Sequence, residues 1–280
     1  MSPPIESQEI RIWRPCGVDS LELHLGRRVF ESAPRQFHEE FEIGVVIAGA
    51  ARVRLRGAGE VVPAGQLVLL EPGVAHDVSV PGGELCDFRV FYVPTDVVAD
   101  AARALGLDAG AVHFRQMSNV DPTLAGMAES VHRGFQREGS WLAEQTRFAE
   151  MLLHLLARHG AGPRRRDTSP DAWPDGVRRA RELLHDRLAE NVTLDELALA
   201  AGLSRYHFLR VFRAATGLPP HTYQTTIRIA AAKRLLRAGL AAGQVALETG
   251  FSDQSHFSRH FRRRVGVTPA EFRRGAASRR

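Results

Sequence analysis

Between residues 35 and 95 the apolar positions come in short runs or alternate with polar ones. ArgValArgLeuArg at 52–56 alternates strictly, which sets Val53 and Leu55 on one face and three arginines on the other. GlyValValIleAla at 44–48 and LeuValLeuLeu at 67–70 are short apolar runs of the kind that form buried strands. Gly57, Gly59, Pro63, Gly65, Pro72-Gly73 and Pro81-Gly82-Gly83 place turns every 8–12 residues. Short strands at that spacing predict a small β-barrel or sandwich, with one or two more strands from 10–31. From about Thr95 the period becomes helical. Asp121-Pro122 starts a helix, and Leu124, Met127, Ala128, Val131 and Phe135 follow at helical spacing. A second amphipathic helix, about 140–158, aligns Phe148, Met151, Leu152, Leu155 and Leu156. This pair either covers the barrel or presents an apolar face to a second subunit. Residues 162–174 are polar and Pro-rich and read as a linker. Helices are expected beyond it at about 175–190, 193–200, 204–216, 220–238, 241–249, 253–265 and 269–274.

The helical third contains an internal repeat. AlaAlaGlyLeuSer at 200–204 precedes Phe208, Phe212, Thr216-Gly217 and Pro220; GluThrGlyPheSer at 248–252 precedes Phe257, Phe261, Val265-Gly266 and Pro269. From the phenylalanines onward the offset is 49 residues, with one extra residue between the Gly and the first Phe of the second copy. A helix, a Gly-containing turn and a second helix, made twice, is helix-turn-helix grammar. In the first copy Thr193 and Glu196 form a capping box, and Ser204 is expected to cap the second helix. Ser252 is expected to cap the corresponding helix of the second copy.

On the second helix of each copy the phenylalanines point inward. Tyr206, Leu209, Arg210 and Arg213 fall outward with Arg205 beside them in the first copy; Gln254, Ser255, Ser258, Arg259 and Arg262 do so in the second. Arg suits guanine O6 and N7, and Gln suits adenine N6 and N7. Arg262-Arg263-Arg264 adds dense positive charge for phosphates.

Charge supports the same division. Residues 1–163 carry 15 Lys+Arg against 21 Asp+Glu, a balance of −6, while 164–280 carry 22 against 11, a balance of +11. Only the C-terminal part is suited to a polyanion. Two cysteines, Cys16 and Cys86, are too few for a disulfide framework or a four-ligand zinc site. The start, MSPPIESQEI, shows no export signal, and no apolar run approaches the ~20 residues of a membrane span. A cytoplasmic protein without membrane association is expected.

The run GFSDQSHFSRHFRRRVGVTPAEFRR at 250–274 resembles the signature of the AraC/XylS family of bacterial transcription regulators, and 193–223 resembles its upstream half. The resemblance covers about 175–275. It implies two recognition helices in adjacent major-groove segments, with Tyr206, Leu209 and Arg210 facing bases from one and Gln254, Ser255, Ser258 and Arg259 from the other. Leu209 departs from the polar residue often found there. Arg205, Arg213, Arg262 and Arg263 complete the expected DNA-contact set.

PheHisGluGluPheGlu at 37–42, Gly49, and Pro72 with His76 resemble a cupin barrel, in which two histidines, a glutamate and a later histidine recur. His38, Glu42, Gly49 and His76 fit; Gln36 stands where the first histidine would be. His38, Glu42 and His76 are candidate effector contacts. As three N/O donors they are also candidate metal ligands, or plain hydrogen-bonded barrel residues.

The expectation is thus an α+β protein of two domains. Residues 1–95 form a cupin-like sensing barrel, 96–161 a helical extension that dimerises, 162–174 a linker, and 175–275 an all-α domain with two helix-turn-helix units. It regulates transcription by binding double-stranded promoter DNA in response to a small-molecule effector, as a homodimer, with no cofactor and no enzymatic activity. Family analogy favours activation over repression and adds RNA polymerase as a partner. The alternatives are a metal-dependent cupin enzyme fused to a DNA reader, and a DNA binder without an effector.

Overall fold

The structure is a computed structural model that describes residues 8–15, 18, 21–55, 58–108, 112–114, 116–137, 141–160 and 173–276. Cys16, Gly57 and the linker stretch 162–172 lie outside the described residues.

The N-terminal strands are β1 (Glu9–Trp13), β2 (Glu22–Val29), β3 (Ala33–Gln36), β4 (Phe41–Ala48), β5 (Ala50–Leu55), β6 (Ala58–Pro63), β7 (Leu67–Leu70), β8 (His76–Ser79), β9 (Cys86–Val93) and β10 (Ser118–Asn119). They form two antiparallel sheets, ordered β1-β2-β9-β4-β7-β10 and β3-β8-β5-β6. Strand β5 shows the predicted alternation, with Val53 buried and Arg52 and Arg54 exposed. Strand β4 is apolar on both faces because it has a layer on each side. Phe41, Ile43 and Val45 belong to the core shared with the helices. Glu42, Gly44 and Val46 line an internal cavity. Strand β9 follows the same rule, with Cys86, Phe88, Val90 and Tyr92 on the cavity and Phe91 and Val93 in the helix-side core.

Helices α1 (Thr95–Ala104), α2 (Pro122–Gly134) and α3 (Trp141–His159) cover the larger sheet. Asp121 caps α2, its side chain accepting from the Leu124 amide at 3.1 Å. Phe148, Met151, Leu152, Leu155 and Leu156 are all buried in the core shared with the sheet. Of the two expected uses of this helix pair, covering the barrel is the one the fold shows. Residues 96–161 are not a purely helical addition, because β10 pairs with β7 and completes the sheet. Beneath α2, Arg89 donates to His132 Nδ1 at 2.9 Å and to Gln136 Oε1 at 2.8 Å. His132 Nε2–H donates to the His24 carbonyl at 2.9 Å, so the ring is neutral; burial and then Arg89 push its pKa down to about 3.

The C-terminal helices are α4 (Asp175–Asp186), α5 (Leu194–Ala201), α6 (Arg205–Thr216), α7 (Pro220–Arg237), α8 (Ala242–Glu248), α9 (Gln254–Val265) and α10 (Pro269–Ala276). All seven expected helices are present. Helices α5 and α6 make the first helix-turn-helix unit, turning at Gly202; α8 and α9 make the second, turning at Gly250. Each unit has its own apolar cluster, built on Phe208 and Phe212 in the first and on Phe257, Phe261 and Phe272 in the second, all fully buried. Helix α7 feeds both clusters, Tyr223 and Ile227 into the first, Ile229, Ala232 and Leu236 into the second.

Caps differ from expectation in both units. The Thr193–Glu196 capping box is formed. Ser204 occupies the cap position of α6, but its side chain makes no capping bond. Helix α9 is capped by Asp253, not Ser252, with the carboxylate accepting from the His256 amide at 2.7 Å. The extra residue of the second copy moves the cap one place along and hands it to an acid, which also favours the positive end of the helix dipole. Trp173, expected in the linker, is buried in the first unit's cluster.

Candidate DNA interface and effector cavity

Burial sorts the two recognition helices into faces. On α6, Arg205, Tyr206, Arg210 and Arg213 are exposed, Tyr206 to 87%, while Leu209 is half-buried. Arg205 is already held by both oxygens of Asp195 on α5, which ties the two helices of the unit together. On α9, Gln254, Ser255, Arg259, Arg262 and Arg263 are exposed and Ser258 is half-buried. Arg264 differs from its neighbours: it is half-buried, and its carbonyl accepts from the Gln36 side chain of the barrel at 3.2 Å. The last arginine of the run is thus tied to the barrel through its backbone, and the two before it are exposed at the rim of the cavity between the domains.

The cavity, of about 290 Å³, lies between the two barrel sheets and the C-terminal helices. Its body is apolar, walled by Val46, Val53, Val68, Phe88 and Val90. Side chains of α7 and the end of α9 close its mouth, including Ile229, Lys233, Arg237 and Val265. All three expected cupin residues line it. Glu42 Oε2 is 3.4 Å from His38 Nε2 and 3.5 Å from His76 Nε2. His76 Nδ1–H donates to the Val74 carbonyl at 2.9 Å, which leaves Nε2 on the side of Glu42. Burial raises the Glu42 pKa; burial, then the nearby His76, holds His38 well below the usual histidine range. The ligating atoms of His38, Glu42 and His76 lie within 4.8 Å of one another, close enough for a divalent ion. Gln36, which stands where the first histidine of the cupin pattern would be, lines the cavity but spends its side-chain amide on the Arg264 carbonyl.

A second polar group, centred on Glu22 just behind the cavity wall, escapes the motif. Glu22, 2% exposed, accepts from Lys233 at 2.8 Å and from Arg237, both on α7, and its Oε1 lies 2.8 Å from His24 Nε2. Burial alone would raise the Glu22 pKa, but the facing Lys233 and its other partners bring it well below the usual carboxylate range. Arg237 Nε is buried without a hydrogen-bond partner. One carboxylate thus serves two cations, and the cavity is lined by six basic side chains, Lys233, Arg234, Arg237, Arg262, Arg263 and Arg264, against four acidic ones, Glu31, Glu39, Glu40 and Glu42. One signal in the chain marks this cluster: Lys233 is the only lysine among 37 basic residues.

A sensor-shaped barrel joined to a double DNA-reading unit defines the class, a one-component transcription regulator. Residues 22–153 match the family model of the AraC-like ligand binding domain, and 197–275 match that of a helix-turn-helix domain. The uncharacterized HTH-type transcriptional regulator YbfI of Bacillus subtilis is 30% identical over 236 residues, spanning 84% of this chain and 85% of its own. The MmsAB operon regulatory protein of Pseudomonas aeruginosa is 29% identical over 251 residues, 85% of this chain and 76% of its own. ToxT of Vibrio cholerae shares the fold, with a TM-score of 0.55 at 14% identity over 92% of this chain and 98% of its own. The chain belongs to the AraC/XylS family of transcription regulators and is an effector-responsive DNA-binding protein. None of its described helices is long and apolar enough to cross a membrane.

Proposed function

We propose that α6 and α9 read two successive major-groove segments of a promoter, and that the cavity takes an effector with an apolar body and an acidic group. The base-facing residues are Tyr206, Arg210, Gln254, Ser255, Ser258 and Arg259, with Leu209 suited to a thymine methyl. Arg205, Arg213, Arg262 and Arg263 flank them and suit phosphates. The observation that carries the effector reading is the shared wall: side chains of both domains meet around one apolar space, so a ligand there touches the barrel and the DNA reader together. The acidic group follows from charge. Buried Lys233 and half-buried Arg237 share the single carboxylate of Glu22, so an anionic ligand would give these two cations a second acceptor. ToxT has been crystallised with an unsaturated fatty acid, and that fold neighbour agrees with the class of ligand.

A regulator acts here by differential affinity: the effector favours whichever domain arrangement holds it better. Activation is favoured over repression, in line with the RhaS activator of Escherichia coli, 37% identical over 93 residues, a third of this chain. Pairing of two copies and contact with RNA polymerase complete the proposal. We read His38, Glu42 and His76 as hydrogen-bonding groups of the sensor, because Gln36 is committed to the domain contact.

The test is a DNA-binding titration on a duplex selected by the purified chain, run with aliphatic and aromatic carboxylic acids and their amides. Acids that fit about 290 Å³ should change the affinity severalfold, the amides much less. Equal effects of acids and amides would overturn the ligand class. Stoichiometric iron together with turnover of a small substrate would turn the barrel into an enzyme.

A further inference from the structure

The two DNA-reading units touch the barrel at the same point of the repeat. Gly217 ends α6 and Gly266 ends α9, 49 residues later, and both have positive φ, +75° and +90°. A Cβ on Gly217 would come within 2.8 Å of Ala75 Cβ, and one on Gly266 within 2.8 Å of Ile10 Cδ1. Neighbouring residues of β3 then reach opposite units. Arg35 Nε donates to the Gly217 carbonyl at 3.1 Å, and Gln36 Nε2 donates to the Arg264 carbonyl at 3.2 Å. Successive strand residues point to opposite sides, so one short strand can hold both helix ends. The barrel also donates a buried residue to each unit's core: Ala75 joins Phe208 and Phe212, and Ile12 joins Phe257, Phe261 and Phe272. Between these two grips, Glu22 binds Lys233 and Arg237 of α7.

We propose that the barrel, and not α7 alone, sets the distance between the two DNA segments that the chain accepts. This rests on the reading that α6 and α9 enter DNA. Helix α7 ties the units along one line, feeding separate apolar clusters at its two ends. A single helical tie leaves rotation and tilt between the units; two further anchor points on a rigid barrel remove them. In helix-turn-helix proteins the separation of reading helices fixes the separation of half-sites, near ~10 base pairs when both lie on one face of DNA. The barrel is then a specificity element that touches no base. Because the cavity wall includes Arg262–Gly266 but not Gly217, an effector acts on the second grip directly.

The test changes only the barrel. The full-length chain, an Arg35→Ala/Gln36→Ala double variant and a separate Ala75→Leu variant each select from a random duplex pool. The double variant removes two polar ties; Ala75→Leu forces a side chain against Gly217, and either suffices should the other misfold. We expect the same two sequence motifs in every case. The full-length chain should take them at one spacing, whereas the variants accept spacings one or more base pairs apart, with the preference for the best spacing reduced at least threefold. A variant set that keeps the original single spacing overturns the proposal and leaves α7 as the sole ruler. If the full-length chain enriches no motif, the DNA-reading role itself falls, and this inference with it.

Discussion

The two helix-turn-helix units share a plan and differ in what holds them. The first is stiffened by its own charges. Thr193 and Glu196 cap α5 reciprocally, Arg187 reaches Glu196 at 2.7 Å, and Asp195 grips Arg205 across the turn. The second has a shorter first helix, Ala242–Glu248, with no side-chain cap at its start. It relies on Asp253 to start α9 and on packing, since Ile10 and Ile12 of the barrel lie against its core. Both copies touch the barrel, through Ala75 in the first and Ile12 in the second, but among the described residues only the first adds salt bridges across its own turn. The copy bound more closely to the barrel is also the one whose end lines the cavity. A repeat can thus keep its geometry while one copy becomes the coupling point to a sensor.

The largest effect tests whether the units stand or fall together. Phe212→Ala and Phe261→Ala each remove a fully buried ring, and each should cost about 3–5 kcal/mol. If the units rest on separate clusters, hydrogen exchange in Phe261→Ala should rise across α8–α10 well before α5–α6. Simultaneous loss of protection in both would show that α7 and the barrel make one cooperative body, and the two units would then differ in construction only.

Sequence pattern revealed the repeat because its buried positions are a single residue type, phenylalanine, at helical spacing. It revealed the strand character of 44–48 but not which face does what, since a strand covered on both sides loses its alternation. Cavity residues His38, Glu42 and His76 carried a motif. Glu22, Tyr92, Lys233 and Arg237 did not, because their meeting depends on two domains docking, which local periodicity does not encode. The shift of cap from Ser252 to Asp253 was written in the chain as one extra residue, whose consequence needed the backbone.

The next effect concerns DNA. Arg259→Ala should cost about 1–3 kcal/mol of specific binding and relax preference at one base pair. Arg205→Ala should cost less than Arg259→Ala, since Asp195 already holds that guanidinium and must be left behind when it turns to DNA. Arg263→Ala should weaken binding to all sequences alike and flatten the salt dependence by about one ion. Titrations on matched and mismatched duplexes at several salt concentrations separate the three. An Arg205 effect equal to that of Arg259 would mean that the Asp195 pair opens at no cost.

The smallest effect is a pH dependence in the second unit. His260 lies on α9 where the first unit has Val211, 49 residues earlier. Its ring packs 4.5 Å from His256 and 5.9 Å from Phe251. Burial first, then His256 and the arginines of α9, push its pKa down to about 4. The folded pKa is below the ordinary ~6.5, so the unfolded chain binds the proton more readily. Stability from the neutral ring is therefore present above about pH 6.5 and is lost as pH falls toward about 4. In the first unit Glu196, held at about 2 by its bonds from Thr193, releases stability only below the ordinary carboxylate range. His185, on α4 against Tyr223, is also shifted downward by burial, so the two units cannot be compared by acidification alone. The variant decides. His260→Val copies the first unit's residue and should flatten the loss of protection of the Phe257 and Phe261 amides between pH 6.5 and 5, by less than one proton's worth because the ring is partly exposed. The Phe208 and Phe212 amides should keep their dependence. If His260→Val leaves the second unit's pH profile unchanged, its acid sensitivity comes through the barrel contact, and the barrel is then more deeply a part of that unit than the chain repeat suggests.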